Sequence, residues 1–372
     1  MRPAPRGGRV SSRPMRITTA PLLALVPLFA AAVSCSSTDT TTASTGSGGS
    51  PSTTSAAGTG GGATGVGGSD GTGTTTSSAV TATSSSTGGS TATTPKVLIV
   101  LMENHVWSAI KNSPSAKYIH QLAMMGAHSE QHFNPPGLHP SEPNYLWLEA
   151  GDNLGVLDDS APGAHHFATT AHLVTQIEKA GLTWKTYQEG ISGTDCPLKG
   201  TGKYAPKHNP MVYFDDVTNG NKITSQNCID HERPFTEIDA DLAGDKLANY
   251  SFITPDLCHD MHDTCDPEND PIKQGDNWLS VLVPKIFASK AYADGATLLI
   301  TWDEGDSGSD GPIGMIALGK HVKAGSTSMT HTTHSSTLRT VQEIFGLSPF
   351  LGDAAKGADL IDLFTDLPKA TP

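Results

Sequence analysis

Short, uninterrupted apolar runs recur along the chain from residue 97 onward, separated by segments with apolar residues at every third or fourth position. Continuous apolar runs are typical of strands buried on both faces of a sheet, and the longer spacing is typical of amphipathic helices. Their alternation predicts an α/β fold, a three-layer α/β/α sandwich with a largely parallel central sheet. The predicted strands span residues 97–102, 183–187, 250–253, 297–302 and 314–317, and the predicted helices span residues 115–125, 144–149, 173–180, 235–248, 278–289 and 335–345.

Two of the predicted strands end in polar residues that can bind a cation. The fourth strand runs into Asp303 and Glu304, and the first strand runs into Glu103 and Asn104. Ligands of α/β folds bind beyond the carboxyl ends of the strands, where adjacent carboxylates repel each other unless a cation lies between them. The sequence therefore predicts a divalent metal site built from these oxygen ligands, which suit Mg²⁺, Ca²⁺ or Mn²⁺ and also admit Zn²⁺.

The first 34 residues contain five arginines, no acidic residue and an apolar stretch over about residues 20–33. That stretch is too short to span a bilayer comfortably and suits the core of a signal peptide. Small residues precede Cys35, which predicts a lipoprotein-type signal peptide over residues 1–35 and a membrane anchor through lipid on Cys35. The alternative is an ordinary cleaved signal with Cys35 incidental. Because Ser36, and not aspartate, follows the cysteine, we expect export to the outer membrane or cell surface.

Residues 36–95 consist almost wholly of Ser, Thr, Gly and Ala. Such a segment cannot bury enough apolar surface to fold, so we expect a disordered linker that tethers a catalytic domain over residues 96–372. The chain carries 24 basic and 37 acidic residues, a net charge of −13. This acidic balance argues against nucleic acid as a partner, and an anionic substrate would need a metal ion to reverse the local charge. We expect a monomer.

Four cysteines remain once Cys35 is set aside: Cys196, Cys228, Cys258 and Cys265. An even number in an exported domain predicts two disulfides. Pairing Cys196 with Cys228 and Cys258 with Cys265 is the simplest of the three connectivities. Zinc binding by the four thiolates is the rival interpretation, but the chain lacks the C-x-x-C spacing that such sites use.

Ser141 lies in the segment HPSEPNYL, directly before a predicted helix. The N–H groups at the start of that helix would point toward an incoming anion. A serine hydroxyl is a weak nucleophile unless a base or a metal ion lowers its pKa. The chain has no G-x-S-x-G elbow, which argues against an α/β-hydrolase triad. The alternative is that Ser141 only caps the helix, which serine does commonly.

Six segments with chemistry-bearing residues follow one another along the chain: MENH, HPSEPNYL, KHNPMVYFDD, SFITPD with CHDMHD after it, LLITWDEGD, and THSSTLRTVQEIFGL. Together they resemble the phosphoesterase family of bacterial acid phosphatases and phospholipases C, within the alkaline phosphatase superfamily. The resemblance covers nearly all of residues 96–349 and implies an alkaline-phosphatase-like fold. It also implies that a serine takes the phosphoryl group at a metal centre and that water then releases it.

The resemblance assigns roles only to positions that match the family motifs. It implies a nucleophile at Ser141, a group stabilising the phosphoryl oxygens at Asn144, metal ligands at Glu103, Asn104, Asp303 and Glu304, active-site histidines at His262 and His334, a phosphate contact at His208, and further metal ligands at Asp256 and Asp260. In two-metal relatives the region around residue 260 binds a second ion. In this chain the candidate ligands of that region are shifted relative to the family pattern. A one-metal site is therefore as well supported as a two-metal site, with His262 and His334 binding phosphate or protonating the leaving group.

These observations favour an exported, metal-dependent hydrolase of phosphoric esters with a phosphate-ester substrate. An acid phosphatase-type phosphomonoesterase is favoured over a phospholipase C because phospholipase members generally carry extra C-terminal domains, and the chain ends soon after residue 364. The alternative that is not an enzyme is a surface lipoprotein with the same fold and no catalytic activity. A sulfatase or phosphonate hydrolase is less well supported, since the C-x-P-x-R motif of sulfatases is missing.

Overall fold

The computed structural model describes residues 94–369. The predicted signal peptide, the Cys35 anchor and nearly all of the predicted linker lie outside the described residues. Between residues 94 and 369, no helix is both long and apolar enough to cross a membrane.

The described residues form strands and helices in alternation. The strands are β1 Val97–Met102, β2 Ala127–Ser129, β3 His132–Phe133, β4 Trp184–Gln188, β5 Glu232–Pro234, β6 Tyr250–Thr254, β7 Thr297–Trp302, β8 Met315–Leu318, β9 Thr327–Ser328 and β10 Thr332–Thr333. The α-helices are α1 Trp107–Asn112, α2 Lys117–Met125, α3 Ser141–Ala150, α4 Leu173–Lys179, α5 Asp215–Thr218, α6 Gln226–His231, α7 Ile238–Ala243, α8 Pro271–Ala288, α9 Lys290–Ala293 and α10 His334–Phe345. Short 3₁₀ turns span Pro206–His208, Pro210–Tyr213, Phe235–Glu237, Asp306–Gly308, Gly352–Ala355 and Ile361–Leu363.

Eight strands form one sheet in the order β5-β4-β6-β1-β7-β8-β2-β9. Strand β8 pairs antiparallel with both of its neighbours, β7 and β2, and the other pairs of this sheet are parallel. Strands β3 and β10 form a separate parallel pair. The prediction of a largely parallel sheet is therefore confirmed. The reversal of β8 was not predicted, because a short apolar run does not carry its own direction.

Alternate residues of β1 belong to two different hydrophobic cores. Val97 and Ile99 pack in the core that contains side chains of α3, α4 and α10. Leu98 and Val100 pack in the core that contains side chains of α1, α2 and α8. Because successive side chains of a strand point to opposite faces, these two cores lie on the two faces of the sheet. The structure is the predicted three-layer α/β/α sandwich.

Helix α8 begins earlier than the predicted start at residue 278. Asp270 caps its first turn by accepting a hydrogen bond from the N–H of Lys273, and a proline follows at the first helical position, a favourable start signal. Asp276 lies inside α8. Its carboxylate accepts hydrogen bonds from the N–H groups of Tyr118 and Ile119 at 2.8 Å each, so it caps α2 across a tertiary contact.

Both predicted disulfides are present, linking Cys196 to Cys228 and Cys258 to Cys265. The first lies within the segment over residues 189–233, which follows β4. That segment is not wholly irregular, since it contains α5 and α6. The predicted helix over residues 235–248 is shorter than expected: a 3₁₀ turn leads into α7, which ends at Ala243 before Gly244.

Candidate active site

Strands β1 and β7 are direct neighbours in the sheet and run parallel, with Met102 opposite Trp302. Glu103 and Asp303 follow these two residues, so they emerge side by side at the carboxyl edge. The N–H of Asp303 donates to the carbonyl of Met102 at 2.9 Å, and the N–H of Glu103 donates to the carbonyl of Asp260 at 2.8 Å. The sheet and its neighbouring loop therefore gather three carboxylates at one point.

Ser141 is the first residue of α3, and its side chain does not cap the helix. Its Oγ donates a hydrogen bond of 3.0 Å to Glu103 Oε2. The other oxygen of Glu103 accepts a hydrogen bond of 2.5 Å from the hydroxyl of Tyr145, one turn further along the same face of α3. The side chains of Ser141 and Tyr145 are both almost fully buried. Helix α3 therefore directs two hydroxyl groups at the carboxylate of Glu103.

Two further predicted metal ligands, Asn104 and Glu304, lie at the same place. Asn104 adopts a positive φ of 41°, a region that asparagine tolerates better than most residues. Its N–H donates to Asp303 Oδ1 at 3.0 Å, and its side-chain amide donates to Glu304 Oε1 at 3.3 Å. The amide of Asn144, on α3, donates to Glu304 Oε2 at 3.2 Å. Asn104 and Asn144 therefore hold the two adjacent carboxylates in place.

The carboxylates of this cluster titrate abnormally because they are buried beside one another. Burial raises the pKa of Glu103 well above its usual value, and the charges of Asp303 and Asp260 add to the shift. Burial likewise raises the pKa of Asp260. The pKa of Asp303 is raised to about 7 by burial and then by Glu304, whose own pKa is raised to about 7 by burial and then by Asp159. Burial and the neighbouring carboxylates therefore disfavour the charged form of each group, and a bound cation would offset both effects.

A divalent cation fits the residues present. Three buried oxygen atoms of the site, Asn104 Oδ1, Asn144 Oδ1 and Asp303 Oδ2, have no hydrogen-bond partner. Buried polar atoms without partners are rare and energetically unfavourable unless something binds them. Carboxylate and amide oxygens are the ligands that hard divalent ions prefer. The cluster is suited to hold such an ion.

His334 is the first residue of α10, fully buried beside Asp303. Its Nε2 donates to the backbone carbonyl of Asp303 at 2.6 Å, and its Nδ1 has no hydrogen-bond partner. Burial lowers the pKa of His334 to about 4. The ring is therefore neutral at physiological pH with a lone pair on Nδ1, which suits a metal ligand or an acceptor and not a proton donor.

His208 lies behind Glu103 and does not reach outward. Its Nδ1 is 3.2 Å from Asp260 Oδ2 and its Nε2 is 3.3 Å from Glu103 Oε1, and its ring stacks on Tyr145 at 5.1 Å between centroids. Burial lowers the pKa of His208 well below its usual value, and the positive charge of Lys207 lowers it further. Its contact with Asp260 favours a role in holding that carboxylate, and its Nε2 has no hydrogen-bond partner; the phosphate contact expected from the sequence stays a prediction.

His262 lies at the more open side of the site, with 29% of its side chain exposed. Its Nδ1 is 2.9 Å from Asp263 Oδ1, and its Nε2 is 3.4 Å from Lys207 Nζ. His262, His208 and Glu103 each offer a ligand atom within 4.8 Å of the others. A contact to substrate, a proton transfer or a second ion are all compatible with this position.

The structure does not bring Asp256 to the carboxylates around Ser141. Asp256 Oδ1 accepts a hydrogen bond of 3.0 Å from the N–H of Cys258 and lies 3.4 Å from His259 Nδ1, which also contacts Glu189. These contacts place it in a separate group of side chains. Asp256 was expected among the ligands because the resemblance implies that the region around residue 260 binds a second ion, but its carboxylate contacts Cys258 and His259 instead.

A model of the Phosphoesterase family matches residues 111–348 of the chain. The chain belongs to the phosphoesterase family. Phosphatidylinositol-3-phosphatase of Mycobacterium tuberculosis is 32% identical over 274 residues, which cover 74% of this chain and 84% of that protein. Phosphate-repressible acid phosphatase of Penicillium chrysogenum is 31% identical over 244 residues, covering 61% of this chain and 54% of that protein. This phosphoesterase thus spans about half the length of such fungal relatives.

Among solved structures, phosphonate monoester hydrolase from Silicibacter pomeroyi aligns over 73% of this chain and 76% of its own, with a TM-score of 0.48 and 12% identity. Family membership and the phosphatase relatives make the chain a hydrolase of phosphoric ester bonds.

Sequence reasoning gives no role to three side chains that the structure places at the site of this phosphoesterase, His139, Tyr145 and Asp159. It includes Lys207 only within the motif Lys207-His208-Asn209, as a possible contact to substrate phosphate. His139 Nδ1 is 2.5 Å from Glu304 Oε2, and Lys207 Nζ is 2.8 Å from Asp159 Oδ2. Helical spacing from Ser141 identifies Tyr145, and motif context points to His139 and Lys207. No sequence signal identifies Asp159, which lies in a loop.

Proposed function

We propose that this chain is an exported, metal-dependent phosphomonoesterase of the acid phosphatase type that acts through a phosphoserine at Ser141. The hydrogen bond of 3.0 Å from Ser141 Oγ to Glu103 Oε2 supports the proposal most strongly, because it holds a hydroxyl against buried carboxylates at the first turn of α3. Phosphoryl transfer depends more on positioning and charge neutralisation than on strong covalent activation. This arrangement is suited to both.

The metal ligands proposed are Glu103, Asn104, Asp303 and Glu304, with Asp260 and His334 nearby. When bound, a divalent cation supplies positive charge that neutralises the phosphoryl oxygens and favours the alkoxide of the serine. The unpartnered oxygens and the raised pKa values of the cluster support this assignment.

In the proposed first step, Ser141 Oγ gives its proton to Glu103, which accepts its hydrogen bond, and attacks phosphorus; the bond to the leaving oxygen breaks as the Oγ–phosphorus bond forms. The N–H groups at the start of α3 orient the phosphoryl oxygens, together with Asn144. His262 donates the proton that the leaving oxygen takes up. His262 is preferred for this role because its ring reaches solvent, whereas His334 is buried and neutral. Water then hydrolyses the phosphoserine and releases phosphate.

A monoester is preferred over a diester because the curated relatives named above are phosphatases. The relative from Mycobacterium tuberculosis is named for a phosphoinositide substrate, which makes phosphoinositides the first lipid monoesters to test here. The two disulfides support export to an oxidising compartment, with Cys35 proposed as the lipid anchor. Detergent partitioning of the full chain and of Cys35→Ser tests the anchor: only the wild type should enter the detergent phase.

The test of the activity uses the chain without its first 35 residues, stripped of metal and resupplied with one divalent ion at a time. Hydrolysis of p-nitrophenyl phosphate is compared with that of the bis-ester across acid to alkaline pH. We expect metal-dependent monoester cleavage that Ser141→Ala reduces at least about 10³-fold. Ser289→Ala is the matched control, since Ser289 is also buried but caps α9 before β7 begins. Preference for the bis-ester would favour a phospholipase C-type enzyme, and cleavage of neither ester would contradict the proposal.

A further inference from the structure

Asp159, in the loop between α3 and α4, lies over the first turn of α3. Its Oδ1 accepts a hydrogen bond of 3.0 Å from the backbone N–H of Glu142, the residue directly after Ser141. Its Oδ2 accepts a hydrogen bond of 2.8 Å from Lys207 Nζ. The carboxylate of Asp159 therefore accepts hydrogen bonds from both a helix N–H and an ammonium group beside the proposed nucleophile.

Lys207 brings a fixed positive charge to a site lined by carboxylates. Its side chain is 19% exposed and also lies 3.4 Å from His262 Nε2. Burial alone would lower the pKa of Lys207, but the bond to Asp159 and the charges of Asp159, Glu103 and Asp303 raise it above its usual value. The ammonium therefore stays charged, and it faces the same carboxylates that surround Ser141.

A phosphoryl group approaching Ser141 needs these same donors. Backbone N–H groups at a helix start and a nearby lysine are the groups that proteins use to bind phosphate. In the structure both donors are bound to Asp159, at distances normal for charge-assisted hydrogen bonds. A phosphate cannot take the N–H of Glu142 while the carboxylate holds it, and it has to share the ammonium of Lys207 with that carboxylate.

We propose that Asp159 is a built-in competitor for phosphate: its carboxylate occupies the donors at Glu142 and Lys207 in the free enzyme, and the phosphate of the substrate must displace it. This inference rests on the proposed function, because it assumes that phosphate binds beside Ser141. It assigns Asp159 a role in substrate selection and not in the chemical step.

Displacement of this kind favours monoesters. A monoester dianion has three terminal oxygens and two charges, so it can replace the carboxylate at both donors at once. A diester has two terminal oxygens and a single charge, so it competes with the carboxylate less well.

The experiment measures binding of inorganic phosphate by calorimetry to the protein saturated with its activating divalent ion. We expect Asp159→Asn to bind phosphate about tenfold more tightly than the wild type, a change the size of one charge-assisted hydrogen bond. Lys207→Met should bind it about tenfold more weakly. The KM for p-nitrophenyl phosphate should fall in Asp159→Asn with little change in kcat, while the share of bis-ester cleavage rises.

Asp158→Asn is the matched control, because it removes the same charge from the adjacent residue, whose contacts are with Ser160 and His165. Its phosphate affinity should equal that of the wild type. Asp159→Ser is a second variant in case the amide keeps the carboxylate's contacts, and a thermal melt confirms folding of each.

Phosphate binding in Asp159→Asn and Asp159→Ser that is unchanged or weaker than in the wild type would overturn the inference, since Asp159 would then only position Lys207. An equal gain in Asp158→Asn would also overturn it, because the effect would be general electrostatics. If the wild type cleaves p-nitrophenyl phosphate but either of these outcomes occurs, the inference about Asp159 is wrong and the proposed function stands. If the wild type cleaves no ester, the proposed function fails first.

Discussion

Two buried clusters of carboxylates in this phosphoesterase are built differently. In one, His172 lies between Glu149 and Asp216, with its ring nitrogens 2.9 Å from an oxygen of each. In the other, Glu103, Asp303 and Glu304 lie together around Ser141, and their hydrogen-bond partners are a hydroxyl, a phenol, amides and the ring of His139. A charged histidine bridges two carboxylates of the first cluster, whereas in the second cluster burial lowers the pKa of the bridging His208, and Lys207 pairs directly with Asp159.

The pKa values reflect that difference. Burial alone would lower the pKa of His172, but its hydrogen bonds to Asp216 and Glu149 raise it to about 9, so the ring is charged at neutral pH. The pKa of Asp216 is lowered by the same contact despite partial burial, although burial still raises that of Glu149. At the active site, by contrast, burial raises the pKa of Glu103, Asp303 and Glu304 alike. An internally paired cluster serves the fold, whereas an unpaired one is suited to bind a cation from outside.

The largest expected effect comes from Asp303→Asn at the unpaired cluster. We expect kcat/KM for p-nitrophenyl phosphate to fall at least about 10³-fold, because a carboxylate facing the metal is lost. The metal-free variant should be no less stable to urea than the wild type, since one repelling charge has gone. Glu149→Gln is the matched control: it should keep its activity but lose about 3 kcal/mol of unfolding free energy, because the charge of His172 loses a buried partner. An equal loss of unfolding free energy in both variants would contradict the proposed difference between the two clusters.

The charged His172 between Glu149 and Asp216 should make the free energy of unfolding depend on pH. The folded-state pKa of His172, about 9, lies above the value near 6.5 of an unfolded histidine. Its contribution is therefore fully present below pH 6.5 and is lost as the pH rises through about 9, amounting to about 3 kcal/mol. Urea unfolding at half-unit pH steps measures the loss. In His172→Gln the curve should be flatter over this window, and an unchanged slope would argue against a charged His172.

The smallest expected effect concerns the hydrogen bond that orients the carboxylate of Glu103. Tyr145→Phe removes the hydroxyl that donates to Glu103 Oε1 at 2.5 Å, so the carboxylate is oriented less well. We expect divalent metal affinity to fall about tenfold, the usual size of such an indirect effect. Tyr187→Phe is the control, because Tyr187 makes an equivalent bond to Asp241 at 2.7 Å away from the site. Identical metal affinity in both variants would show that the bond to Glu103 has no effect on metal binding.

The sequence predicts those parts of the site that depend on local order along the chain. Glu103 and Asp303 each follow a buried apolar strand, and parallel neighbours bring such ends together, so their meeting is foreseeable. The contacts of Asp276 and Asp159 are not, because each side chain acts on a segment distant in sequence, and nothing local identifies the partner. The direction of β8 and the separation of Asp256 from Asp260 likewise depend on tertiary packing. Strand ends are predictable here, and loop contacts are not.

Calorimetric titration of the metal-free protein with Mg²⁺, Ca²⁺, Mn²⁺ and Zn²⁺ tests most directly the claim that the carboxylates around Ser141 require an external cation. We expect at least one of these ions to bind the wild type and Glu149→Gln with equal affinity, and to bind Asp303→Asn at least about 10-fold more weakly. Failure of every ion to bind the wild type, or equal binding by Asp303→Asn, would contradict the claim.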